Sequence, residues 1–144
     1  MKVEDLIRSR SEVYSIAEAM TVHDAARYLR ERQVRSVGVL TPGGKLAGVL
    51  SQSDISDKVA AENKCPAWMR VTEVMTANPI KVPPNTHLDE CLRLMEKHGI
   101  YHLPVVDEQE TYHGMISVQD LLRVIAFDEK ARADMLESFL FSGR

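Results

Sequence analysis

The chain has 144 residues, 44% hydrophobic and 27% charged, with a formal net charge of −3. That supplies enough apolar material for one domain with a core and is too balanced for a disordered chain. It argues against a nucleic-acid binder, which needs a basic face, and no apolar run approaches the roughly 20 residues that cross a bilayer.

The opening stretch, MKVEDLIRSR, carries Glu4 and Asp5 and lacks an apolar centre, so it does not read as a secretory leader. A short helix is expected to end near Ile7, followed by an extended segment over 13–16 and an amphipathic helix over 23–32. A strand over 36–40, the turn TPGG at 41–44 and a second strand over 46–50 make a hairpin. A helix begins within 51–54. Residues 61–69 read as a linker, broken by Pro66, with Trp68 and Met69 apolar enough to dock and pin it.

The same series then returns: a helix ending near Met75, an extended segment over 79–82, and a helix over 87–97. Leu88, Cys91, Leu92 and Met95 mark the buried face of that helix, Thr86 or Asn85 offers its N-cap, and Gly99 stops it. A hairpin over 103–106 and 112–116, turned by DEQE, leads to a helix starting within 117–120. A last helix spans 128–141, with Met135, Leu136, Phe139 and Leu140 as its apolar stripe.

This is an internal repeat. A shift of 66 carries Gly48, Ser51 and Asp54 onto Gly114, Ser117 and Asp120, and Arg27 and Val39 onto Arg93 and Val105. Residues 2–7 match 70–75 with a shift of 68, so the first copy holds two extra residues within 8–12. Each copy reads β-α-β-β-α, too small to cover its own sheet. The expected fold is α+β, with two copies packed sheet to sheet around one shared core and a pseudo-twofold axis. The divisions are 1–60, 61–69 as linker, 70–126, and 127–144 as C-terminal helix and tail.

GVLSQSD and GMISVQD, the strand HLPVVD, and VTEVMTANPIKVPPNTHLDECLRLM together resemble the CBS-domain pair, or Bateman module, of small stand-alone bacterial and archaeal proteins. The first copy departs from that pattern at Gly38 and Thr41, where proline and aspartate are expected. The resemblance implies two clefts holding AMP, ADP, ATP or a similar adenosine derivative, with the motif aspartates on the ribose hydroxyls and the motif hydroxyls near phosphate.

The residues themselves suit that chemistry. A carboxylate in the first turn of a helix can accept two hydrogen bonds from a cis-diol, beside backbone N–H groups that favour an anion. S-x-x-D is equally the signature of a capping box, and a capping serine can also contact a ligand, so both readings stand. The first cleft gathers Arg35, Val49, Ser51, Ser53 and Asp54. The resemblance adds Met75, Thr76, Ile80, Ile100 and Tyr101 from the second copy. The second cleft gathers His102, Met115, Ser117, Gln119 and Asp120, with Tyr14 and Val34 from the first copy. Gln119 stands where the first copy has the hydroxyl of Ser53. Arg35 and His102 read either as phosphate contacts, pH-sensitive for the histidine, or as ordinary polar residues.

No catalytic or metal constellation emerges. His98 and His102 are four apart but Gly99 separates them. Cys91 reads as core, while Cys65 reads as an exposed thiol with only Lys64 near to activate it. Two unpaired cysteines fit a reducing cytoplasm. The expectation is a non-enzymatic regulatory module that needs no cofactor, takes an adenine nucleotide as regulatory ligand, forms a homodimer and signals to a protein partner. The alternatives are an assembly module with vestigial clefts, or an enzyme using Cys65.

Overall fold

The computed structural model describes residues 1–127 and 129–141, without the side chains of residues 125, 127, 129, 131, 138, 139 and 141. Helix α1 (Val3–Arg8) opens the chain, its first turn fixed by the Lys2 N–H donating to the Asp5 carboxylate at 2.9 Å. Strand β1 (Ser15–Ala17) lies parallel to β2 (Ser36–Leu40), which forms an antiparallel hairpin with β3 (Leu46–Ser51). Helix α2 (Val22–Arg32) crosses between β1 and β2. It is capped by Thr21, which accepts from the Asp24 N–H at 3.2 Å, and ends on Gln33 in the left-handed region at φ 56°. Gln33 thus does in the first copy what Gly99, at φ 63°, does for helix α4 (Leu88–His98) in the second.

The second hairpin, β5 (His102–Val106) with β6 (Tyr112–Ser117), leads into α5 (Val118–Phe127). Its counterpart to β1 is a single parallel bridge, Val82 to Val105. The two hairpin turns meet: Lys45 bridges Thr111 through the backbone, and its ammonium lies 3.2 Å from Glu110. Between the sheets Gly38 lies against Tyr112, where a Cβ would stand 2.6 Å from the tyrosine ring. Gly38 replaces the proline of the second copy because only a bare backbone fits beneath that ring.

The shared core predicted from the repeat divides into two clusters, and each copy lends its N-terminal segment to the other's. Val3 lies in the second cluster, with Val82, Leu88, Cys91, Leu103 and Ile116. Its N–H donates to the Thr86 carbonyl at 2.8 Å. Val71 and Val74, on or beside a short 3₁₀ turn (Val71–Glu73), lie in the first cluster with Leu29, Val37 and Leu50. Strand β4 (Thr76–Ala77) then adds to the edge of β3, giving a four-stranded sheet in the order β1-β2-β3-β4.

Three local expectations are corrected. Neither Thr86 nor Asn85 caps α4. His87 holds that position without a side-chain bond, and the Thr86 hydroxyl donates instead to the Pro83 carbonyl at 2.7 Å. Trp68 does not dock, being 87% exposed. Met69 does dock, packing on the first core cluster, and the backbone holds the linker beside it, with the Val22 N–H on the Met69 carbonyl and the Val71 N–H on the Met20 carbonyl. The stripe of helix α6 (Glu129–Phe141) splits, since Met135 is buried whereas Leu136 and Leu140 are exposed. The Phe139 side chain, like Asp128, lies outside the described residues.

A Cβ at Gly48 would stand 2.7 Å from both the Met75 sulfur and the Thr76 carbonyl, whereas at Gly43 the nearest atom is 3.7 Å away. Gly48→Ala is expected to cost about 1–3 kcal/mol by overpacking. Gly43→Ala should change stability little. Urea unfolding of both variants checks the difference, and equal midpoints would contradict the close crossing.

Candidate functional site

Each hairpin's second strand ends on a serine that begins the next helix. In the first copy Ser51 ends β3 and α3 (Gln52–Ile55) follows. The Ser51 hydroxyl accepts from the Asp54 N–H at 3.2 Å, and Asp54 Oδ2 takes the Ser51 N–H and hydroxyl, both at 3.0 Å. In the second copy the same bonds join Ser117 and Asp120 at 3.2, 2.8 and 3.0 Å. The capping box therefore forms in both copies. It consumes one carboxylate oxygen of each aspartate and holds the other, Oδ1, in a fixed direction at the helix start.

That second oxygen faces cations. Helix α3 passes into a π-helical turn (Ser56–Ala60), and its Lys58 ammonium lies 3.1 Å from Asp54 Oδ1 and 2.9 Å from the Val74 carbonyl. Asp120 Oδ1 lies 3.6 Å from Arg123, and Arg10 reaches Asp120 Oδ2 at 3.0 Å. Sequence reasoning missed all three cations. Lys58 and Arg123 lie four and three residues beyond their aspartates, a spacing that places them on the same helix face. Arg10 lies within 8–12, the stretch that holds the two extra residues, and no local pattern points to it.

Around Asp54, the structure brings together Val49, Ser51 and Ser53, with the Ser53 hydroxyl 2.9 Å from that of Ser51. Thr76 pairs with Val49 across the β3–β4 ladder, and Met75 packs on Gly48. The Arg35 carbonyl accepts the Gln52 N–H at 2.9 Å, which ties its exposed residue to the start of α3. Tyr101 makes the matching bond to Val118 at 3.0 Å, which places it at the start of α5, the Asp120 end. Ile80 and Ile100 pack on the second cluster.

Around Asp120, His102 pairs with Ser117 and Met115 with Pro104 in the β5–β6 ladder. Gln119 is exposed. Tyr14 and Val34 pack on the first cluster, and Tyr14 meets Tyr28 edge-to-face with ring centroids 6.4 Å apart. The segment that crosses Gly114 is Ile7, Arg10 and Val13, with a Cβ there standing 2.9 Å from Ile7. A cavity of about 450 Å³ opens beside it, lined by Met1, Leu6, Ser9, Arg10, Asp120, Arg123 and Val124.

Burial lowers the His102 imidazole from its ordinary 6.5; the Asp120 carboxylate opposes that shift and the Arg35 guanidinium adds to it. Burial pushes the Cys91 thiol up to about 12, which fits a core residue. Cys65 is free and exposed. Among the described residues no group of three or more metal-ligating side chains gathers, and no helix is long and apolar enough to cross a membrane.

Because the folded value for His102 lies below the unfolded one, the unfolded chain binds the extra proton between the two. Stability therefore falls as pH drops from about 6.5 toward the folded value. An NMR titration is expected to place the His102 midpoint below 6.5; a midpoint at or above it would contradict the burial.

The family model for the CBS domain matches twice, over residues 3–61 and 71–127. A CBS-domain protein from Burkholderia ambifaria MC40-6 superposes with a TM-score of 0.81 at 28% identity, covering 90% of this chain and 96% of its own. The CBS domain pair of protein MJ0100, solved with 5′-methylthioadenosine and S-adenosyl-L-methionine, superposes at 0.76 with 26% identity, covering 88% and 96%. The CBS domain-containing protein CBSCBSPB2 of Arabidopsis thaliana is 34% identical over 84% of this chain and 23% of its own length. The L-aspartate semialdehyde sulfurtransferase of Methanosarcina acetivorans is 31% identical over 79% and 22%. The chain thus spans about a fifth of the length of such curated relatives, and the likeness concerns that part of them alone. Two matched copies, a shared topology and the paired serine–aspartate boxes together make this chain a tandem member of the CBS-domain family.

Proposed function

We propose that the protein is a non-enzymatic regulatory module that binds an adenosine-containing ligand in its two clefts. The observation that carries this reading is the pair of aspartates, each locked by a serine so that one carboxylate oxygen is held toward a cleft edge formed with the other copy. A fixed carboxylate is a good acceptor for a ribose diol, since little freedom is lost on binding. The bound 5′-methylthioadenosine and S-adenosyl-L-methionine of the MJ0100 pair support the same ligand class. Ile80, Ile100, Tyr101, Tyr14 and Val34 are proposed to complete the base-binding walls. The division into 1–60, 61–69, 70–126 and 127–144 is part of the same reading.

Ligand binding would favour one arrangement of the two copies, and a protein partner would read it as a metabolite or energy signal, within the limit of the ligand's differential affinity. AMP, ADP and ATP are the first candidates, and a cytoplasmic setting is proposed with them. The exposed Leu122, Leu136 and Leu140 support a homodimer built on the C-terminal helices. They equally support the second reading, an assembly module with vestigial clefts.

A thermal-shift panel with AMP, ADP, ATP, NADH and S-adenosylmethionine separates the two readings. Ligand at a hundred times its dissociation constant stabilises by about 2.7 kcal/mol. Asp54→Ala and Asp120→Ala are each expected to abolish binding at their own cleft in calorimetry while the fold survives. Absence of any shift at millimolar ligand favours assembly, and unchanged binding of AMP and ATP in the double variant would contradict the ribose role of the two aspartates.

A further inference from the structure

We propose that Lys58 is a latch on Asp54: its ammonium holds the carboxylate oxygen that a ribose diol needs, so the Asp54 cleft takes a nucleoside only in competition with the protein's own side chain. This rests on the reading of the clefts as nucleoside sites and adds to one of them a built-in competitor.

An ionised carboxylate offers about four acceptor positions, two on each oxygen. Asp54 Oδ2 accepts from the Ser51 N–H and the Ser51 hydroxyl, both at 3.0 Å, so the capping box fills that oxygen. Oδ1 accepts from the Lys58 ammonium at 3.1 Å. A single position is left on Oδ1, whereas a cis-diol donates two hydrogen bonds. The Asp54 side chain is only 12% exposed, which makes the ammonium its main compensation for lost water. Lys58 itself lies in the π-helical turn (Ser56–Ala60), a form that recurs at functional sites. Its ammonium also donates to the Val74 carbonyl at 2.9 Å, on the leading segment of the other repeat. That second acceptor holds the ammonium beside Asp54 and remains available to it when Asp54 is taken. Release therefore costs one bond, and the ammonium, on a side chain 47% exposed, regains water in its place. A ligand can open such a latch and loses part of its affinity in doing so.

The second repeat is built differently at this point. The shift of 66 carries Lys58 onto Val124, a buried apolar residue. Arg10 bonds Asp120 Oδ2, the oxygen that the capping box already holds. Among the described residues the cation beside Asp120 Oδ1 is Arg123, at 3.6 Å, which is longer than a hydrogen bond. Its side chain is 73% exposed. Asp120 Oδ1 can therefore accept both hydroxyls of a diol as it stands, and Asp54 Oδ1 can do so only when Lys58 lets go. One repeat carries a latched aspartate and the other an open one.

The test uses the full chain with labelled methionine methyl groups, because Met75 lies at the Asp54 cleft and Met115 at the Asp120 cleft. Adenosine is the main probe, since it carries the diol and no charge, and AMP is titrated beside it. Both are added to the wild type, Lys58→Leu and Lys58→Arg by NMR, after thermal unfolding confirms that each variant folds. At Met75, Lys58→Leu is expected to bind adenosine about fivefold more tightly than the wild type, the scale of one charge-assisted bond to a half-exposed group. Lys58→Arg keeps the cation and should bind adenosine as the wild type does. The Met115 affinities should not move in either variant. Unchanged or weaker adenosine binding at Met75 in Lys58→Leu would overturn the latch while leaving the cleft a nucleoside site. Equal tightening in both variants would overturn it as well, because arginine keeps the charge. Weaker AMP binding with unchanged adenosine binding would assign Lys58 to the phosphate and overturn the latch too. Silence of Met75 toward both ligands in all three proteins would overturn the nucleoside reading of that cleft, and this proposal with it.

Discussion

The approach of one repeat's leading segment onto the other repeat's glycine is the constraint on which the rest depends. Gly48 lies against Met75 and Thr76, and Gly114, at φ 139°, lies against Ile7 and Arg10. A Cβ at Gly48 would press on the Thr76 carbonyl, and one at Gly114 would press on the end of Ile7 at a backbone angle that favours glycine. The crossing carries Val3 into the second cluster and Val71 and Val74 into the first. Neither repeat therefore completes a core from its own residues, and a repeat of under 70 residues has little apolar surface to spare. The pair is one unit of stability because its two halves exchange their first segments.

The same crossing brings a segment of each repeat to the strand that carries the other's serine–aspartate box. Each serine–aspartate box is a local device, closed by three hydrogen bonds within four residues. By itself it would be a helix cap and nothing more. It becomes an edge of the proposed site because the other repeat's segment passes within contact of the same strand. What that segment carries then sets the chemistry. The second repeat delivers backbone and Thr76, whereas the first delivers the guanidinium of Arg10. Two repeats of like topology thereby set different cations beside their serine–aspartate boxes, Lys58 at one and Arg10 and Arg123 at the other.

Much of the local structure was legible in the sequence, for identifiable reasons. The hairpin strands and the helices α2 and α4 follow from short-range apolar spacing and turn residues, and they fall within one or two residues of expectation. Gly99 stops α4 because a left-handed end favours glycine. The serine–aspartate boxes were visible as paired motifs at a constant shift. What was not legible required knowledge of what lies across the fold. Thr86 reads as a cap until the Pro83 carbonyl is found to take its hydroxyl. Trp68 reads as an anchor, yet backbone bonds on either side pin the linker and leave the ring in solvent. Arg10 is separated from Asp120 by 110 residues, and only the crossing of the first segment brings them together.

Composite clefts are the central claim, and hydrogen exchange with and without AMP tests it most directly. The account predicts that AMP protects residues 48–54 together with 75–77, two stretches from different repeats that meet at one site. Protection confined to a single repeat, or none at saturating AMP, would contradict it.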